Sequence, residues 1–145
     1  MQECNVNVWA LIVSALAYFF LGWAWHSPLL FMKAWAKEMG HDKMSKKEKE
    51  KAMKGMPKAM IGNFLALLVT AWVMSQIILF ATAYTKNEGI TGGMLTGFFT
   101  WLGFIATTVL NTVLWEGRSW KLYFINVSYH LVGLVLMGSI LAVWK

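Results

Sequence analysis

The residues with chemical potential lie in or beside apolar stretches. Asn126 and His130 stand four apart, so a helix there stacks them on one face. Asn63 and Asn111 each fall about one turn inside another apolar stretch, and His26, Glu116 and Arg118 sit at the borders. Polar groups in hydrocarbon are costly and normally face a partner helix or a cavity. These seven could therefore line a polar cluster that holds a lipid head group or a small polar ligand. The favoured alternative is structural. Interhelical hydrogen bonds from Asn and His contribute ~0.6–2 kcal/mol each, and Glu116 and Arg118 would form an ion pair at a turn containing Gly117.

Other chemistries fit less well. His130 invites haem or a chlorophyll-type magnesium, but only His26 could supply a second axial ligand, and its expected depth differs by more than a helical turn. The run Met39-Gly40-His41-Asp42-Lys43-Met44 offers thioether and imidazole for a soft metal, yet amphipathic spacing already explains Met32 and Met39. No cofactor and no metal is expected. Phosphate-cradling glycine loops, metalloprotease helices and nucleophile elbows do not occur. Glu116 is the only carboxylate between residues 90 and 144, so paired acid–base work within the last two spans lacks its second member. Proton-coupled export by a small bundle needs a buried carboxylate, and the span interiors hold none. The expectation is a non-enzymatic protein.

The elements that must position these groups are four apolar stretches, 6–25, 59–84, 90–115 and 122–144. Each is long enough to cross a hydrocarbon core of about 30 Å. A chain of 145 residues that is 58% hydrophobic leaves nothing for a second folded domain outside them. The connection 27–58 carries nine lysines, and Arg118 and Lys121 lie in the third connection. Only Lys86 and Lys145 stand on the other side. That asymmetry places connections 27–58 and 116–121 in the cytoplasm and both termini outside it. The basic excess then answers to anionic lipid rather than nucleic acid, with Lys33, Lys37, Lys46, Lys47 and Lys54 the candidate head-group contacts. Cys4, the single cysteine, allows no intrachain disulfide and follows no signal segment. The first stretch lacks a basic leader and reads as a retained helix.

The long connection has its own pattern. Pro28 is placed to open a helix, and Phe31, Met32, Trp35, Ala36 and Met39 share a face opposite Lys33, Lys37 and His41. This predicts a helix lying in the interface. Ser45 and Glu48 match a capping box opening a second short helix, supported by Lys46–Glu50 and Glu50–Lys54 pairs. Gly55 and Pro57 are expected to interrupt the chain before span two. In span three, Gly93 and Gly97 form a Gly-x-x-x-Gly pair. Ala10, Ser14 and Ala17 on span one, and Gly133 and Met137 on span four, offer further close faces, within the bundle or between copies. Trp23, Trp25, Trp115, Trp120 and Trp144 read as interfacial anchors. Trp25-His26-Ser27-Pro28 and Trp115-Glu116-Gly117-Arg118 give the two halves a faint likeness.

Several short motifs carry a resemblance. The first span ends Gly22-Trp-Ala-Trp-His-Ser-Pro28, with Phe31 and Trp35 following. Trp101-Leu-Gly-Phe104, Asn111, the Trp115-to-Arg118 turn, Ile125-Asn126 and Tyr129-His130 complete the set. On these, the chain resembles the bacterial membrane family catalogued as domain of unknown function 1761. That resemblance implies four membrane helices and no assigned activity. The reading is an all-α bundle of four transmembrane helices with one or two cytoplasmic-side interfacial helices. It would act as a homo-oligomer or as an accessory subunit of a membrane complex. An oligomeric small-solute transporter or channel is the alternative, and a haem or pigment protein using His130 the further one.

Overall fold

The computed structural model describes residues 6–144, so Cys4 and Lys145 lie outside the described residues. It is all-helical, with α1 Val8–Trp25, a short α2 Met32–Glu38, α3 Lys46–Thr85, α4 Gly89–Leu114 and α5 Trp120–Val143. The helices α1, α3, α4 and α5 are each long and apolar enough to cross a membrane. Their ends are set locally. Asn7 caps α1 by accepting from the Trp9 amide at 3.0 Å, and Ser119 caps α5 by accepting from Leu122 at 3.1 Å. Lys86 at φ 57° ends α3 in the left-handed region, and Gly89 at φ 68° and Gly117 at φ 67° turn the chain beside α4.

The bundle closes because small residues let backbones meet. A Cβ at Gly93 would collide with the Gly138 carbonyl oxygen, and one at Gly97 would stand 2.5 Å from that of Leu134. The Gly-x-x-x-Gly pair is thus used between α4 and α5 of one chain, where the closest helix pairing occurs. Around it the core holds Ala10, Ala15 and Tyr18 of α1, Leu67, Ala71, Met74 and Ile78 of α3, and Leu134, Met137 and Leu141 of α5. Most large apolar side chains, Phe20, Phe80 and Phe104 among them, point outward instead. Such an exterior belongs in lipid, where dispersion and backbone proximity hold helices together.

Three expectations need correction. Gly55 and Pro57 do not interrupt the chain, and α3 runs through both as one 40-residue helix. Pro57 removes only its own amide and leaves the Met53 carbonyl unbonded. Because residues 45–63 are all exposed, water can satisfy that carbonyl. Pro28 opens a stretch of turns, and α2 begins only at Met32. Gly40 at φ 74° then ends it before a single 3-10 turn, His41–Lys43. Ser45 and Glu48 do form the expected capping box, but it opens the long helix rather than a separate short one. Within α4, residues Trp101–Ala106 adopt a π-helical turn. Side chains of α5 and α4 brace it: Tyr123 donates to the Ala106 carbonyl at 3.1 Å, and Trp101 Nε1 donates to the Val127 carbonyl at 2.7 Å.

Candidate functional site

The seven polar residues divide into those drawn together and those left apart. Tyr18 and His130 share a hydrogen bond of 2.7 Å between the phenol oxygen and Nδ1. Tyr129 packs on His130 with ring centroids 4.8 Å apart and on His26 at 5.5 Å. His26 meets Trp35 of α2 at 5.3 Å, and Trp35 meets His41 at 5.1 Å. All three histidines of the chain therefore lie along one string of rings, which runs from the middle of α5 to the loop after α2. Glycines admit the bulk. A Cβ at Gly133 would overlap the Tyr18 ring, and one at Gly22 would lie 2.7 Å from the Tyr129 hydroxyl.

Hydrogen bonds fix the string in place. His26 Nδ1 is 2.9 Å from the Gly22 carbonyl oxygen, so that nitrogen carries the proton and donates. Trp25 Nε1 donates to the Ile125 carbonyl at 3.2 Å, tying the end of α1 to α5. At the lysine-rich end, Ser119 donates to the Glu38 carboxylate. The same Ser119 oxygen accepts from Leu122, so Glu38 stands beside the α5 N-terminus, where a negative charge is stabilised by the helix dipole. This contact pins α2 across the bundle.

The other candidates do not join. Asn63, Asn111, Glu116 and Arg118 are exposed on three different stretches, and the expected Glu116–Arg118 ion pair is not formed. The Arg118 amide instead donates to the Thr112 carbonyl at 3.0 Å, closing the turn around Gly117. Asn126 is half-buried on the His130 face. Lys33, Lys37, Lys46, Lys47 and Lys54 are all exposed. Among the described residues, no three His, Cys, Asp or Glu side chains converge as a metal site.

Two cavities lie at the opposite end from the lysines. One of about 90 Å³ is lined by Asn7, Ser75, Ile78 and Leu141, and one of about 540 Å³ opens between α3 and α4 beside Ile77, Thr96 and Phe99. None of the seven polar candidates lines either. The string is packed ring against ring.

Sequence reasoning missed Tyr18, Trp35 as a link between histidines, and the Glu38–Ser119 contact. Tyr18 had a signal: it is the next step in the stripe Ala10, Ser14, Tyr18, four residues apart each time. Nothing in the spacing joins Glu38 to Ser119, 81 residues away.

With this arrangement in hand, a family model described as protein of unknown function (DUF1761) matches residues 9–142. The chain belongs to this family. The match runs from the first turn of α1 to the last turn of α5, so all four spans and the whole string are family territory. Neither a curated protein nor a solved structure matches the chain.

Proposed function

We propose that this protein is a non-enzymatic accessory subunit of a membrane complex, held in a bacterial inner membrane with its lysine-rich end in the cytoplasm. One observation carries the reading. Tyr18 and His130 are occupied with one another and His26 with the Gly22 carbonyl, while the basic end of α3 stands free. In the spans, hydroxyls are turned back on their own helices, as with Ser14 to Leu11, Thr96 to Gly92 and Ser139 to Val135. Tyr18, His130, Tyr129 and His26 act in this reading as internal struts between α1 and α5, not as a ligand pocket. Lys33 and Lys37, on the short α2 beside the bundle, remain the head-group contacts for anionic lipid.

A second reading is favoured by the groove between α3 and α4. Its 540 Å³ is apolar and flanked by exposed Phe99 and Phe104, a shape that accepts a helix from another copy. Native mass spectrometry from mild detergent, applied to protein taken from its own membrane, tests both. A defined hetero-complex supports the accessory role. A homo-oligomer alone moves the reading to self-assembly, and a solitary monomer overturns both. Cysteine labelling near Lys47 and Lys86 should report opposite sides of the membrane, and labelling on one side would remove the orientation.

A further inference from the structure

The first third of α3 has no neighbour in the chain. Residues 45–63 are exposed without exception, and buried positions begin at Leu67. At 1.5 Å per residue the 40 residues extend about 60 Å, twice a hydrocarbon core of about 30 Å. With Tyr84 and Lys86 at the far interface, hydrocarbon ends near residue 61. Head groups then occupy only about 5–8 Å more. Lys58 lies among them, whereas Lys51 stands roughly 15 Å and Lys47 roughly 20 Å above the hydrocarbon. Charges that far out are largely screened from the lipid surface, since the Debye length is about 8 Å at physiological ionic strength. A helix that continues along the direction of its span would therefore lift Lys46 and Lys47 away from the head groups that the sequence alone assigned to them.

The projecting segment has two faces. Lys47, Lys51, Lys54 and Lys58 recur at steps of four, three and four residues, which makes a single stripe. Met53, Met56 and Met60 recur at three and four on the other side, and each is more than 40% exposed. The methionine stripe is not isolated. Continued in the same steps it becomes Phe64, Leu67, Ala71, Met74 and Ile78, the face that α3 buries in the bundle. The core-facing side of span two thus runs on past the membrane surface with nothing covering it.

We infer that residues 46–60 form a docking helix for an acidic protein, whose apolar groove takes Met53, Met56 and Met60 and whose rim pairs with the lysine stripe. Anchors at i, i+3 and i+7 are the spacing by which an amphipathic helix seats in a groove. Methionine side chains are flexible and polarisable, suited to such a contact. Four lysines on one stripe select a partner of opposite charge. A second copy of this chain is disfavoured as occupant because it would bring the same lysines. The inference rests on the accessory-subunit reading and names the chemistry of the partner. It requires no hinge, since the capping box at Ser45 and the span below hold the helix at both ends.

The test uses full-length protein in nanodiscs, with a Cys4→Ser background. A nitroxide on Met56→Cys should be reached by a water-soluble relaxant and not by oxygen concentrated in lipid. This should hold equally in phosphatidylcholine discs and in discs containing phosphatidylglycerol. Calcium-loaded calmodulin serves as the acidic-groove probe. Its binding should weaken on the order of tenfold with Met53→Glu plus Met56→Glu, weaken comparably with Lys51→Glu plus Lys54→Glu, and fall with added salt. All four positions are exposed, so the bundle keeps its fold. Absence of calmodulin binding, or binding indifferent to these changes, overturns the inference. So does a label that moves into lipid when anionic lipid is added, which would make the segment a membrane-surface helix. A hetero-complex in the mass spectrum alongside either failure would leave the accessory role standing and place the partner on the spans.

Discussion

Replacing Gly97 by Ala puts the packing of α4 on α5 to a quantitative test. The new Cβ would lie 2.5 Å from the Leu134 carbonyl oxygen and 2.9 Å from both its carbon and the Val135 Cα. Ordinary contact begins at 3.4 Å, so the two helices must part by roughly 0.5–0.9 Å along that line. The obstructing atoms are backbone within a helix and cannot swing aside. Overpacking of this kind costs about 1–3 kcal/mol, against about 1 kcal/mol gained by Ala over Gly in a helix. The expected net is a loss of up to about 2 kcal/mol. Gly62 is the control, because a Cβ there meets nothing within 4 Å and Gly62→Ala should be stabilising or neutral. Unfolding followed by tryptophan fluorescence in mild detergent, with both variants side by side, measures the difference. Equal stabilities for Gly97→Ala and Gly62→Ala would refute the claim that these glycines set the distance between the helices.

Tyr18→Phe should cost about 0.6–2 kcal/mol in the same assay by deleting the hydroxyl bonded to His130; a double-mutant cycle with His130→Ala should show coupling, and additive losses would sink the strut reading. Pro57→Ala should restore an amide to the exposed part of α3 and gain about 3 kcal/mol of local helix stability, seen as slower amide exchange across residues 51–58; unchanged exchange would mean the proline does not weaken the helix. The capping box makes the start of α3 sensitive to acid. The Ser45 backbone amide, and then its hydroxyl, hold the Glu48 carboxyl below the usual carboxylate range. A depressed folded pKa stabilises above the unfolded value, and that stabilisation is lost as pH falls through the folded value. The protection of the Glu48 and Lys49 amides, taken as exchange relative to the intrinsic rate at each pH, should therefore fall on acidification, and Glu48→Gln should remove that fall; a variant still titrating there would exclude Glu48 as the source.

The four spans and their order were legible because membrane insertion leaves its mark in one dimension. Twenty apolar residues in a row have few other physical outcomes in water or lipid. Gly93 and Gly97 were legible as a close-packing face, although spacing alone could not say whether the partner was α5 or another copy. Polar residues were harder, since depth along a helix gives no azimuth. Asn111, Glu116 and Arg118 sit at the right height and turn outward, whereas Tyr18, read as one more aromatic, carries the hydrogen bond that His130 needs. Gly55 and Pro57 misled for a different reason. Helix breakers act by stranding backbone groups, and in an exposed helix the stranded carbonyl has water to turn to.

The placement of Pro57 divides the work between the two ends of the molecule. A proline within the buried part of α3 would strand the carbonyl four residues before it in hydrocarbon, where each unsatisfied group costs several kcal/mol. At residue 57 it falls beyond the span, where the cost is confined to local helix propensity. Gly55 adds its own penalty of about 1 kcal/mol in the same turn. The docking helix is thus the weakest part of the longest element, joined without a break to its most rigid part. A partner that seats Met53, Met56 and Met60 would offset that weakness by covering the stripe. Stabilisation of the helix over residues 46–60 on binding would then register at Leu67 and Met74, which lie on the same face of the same helix. The continuity that defeated the sequence-based boundary is what would couple an event above the membrane to the core within it.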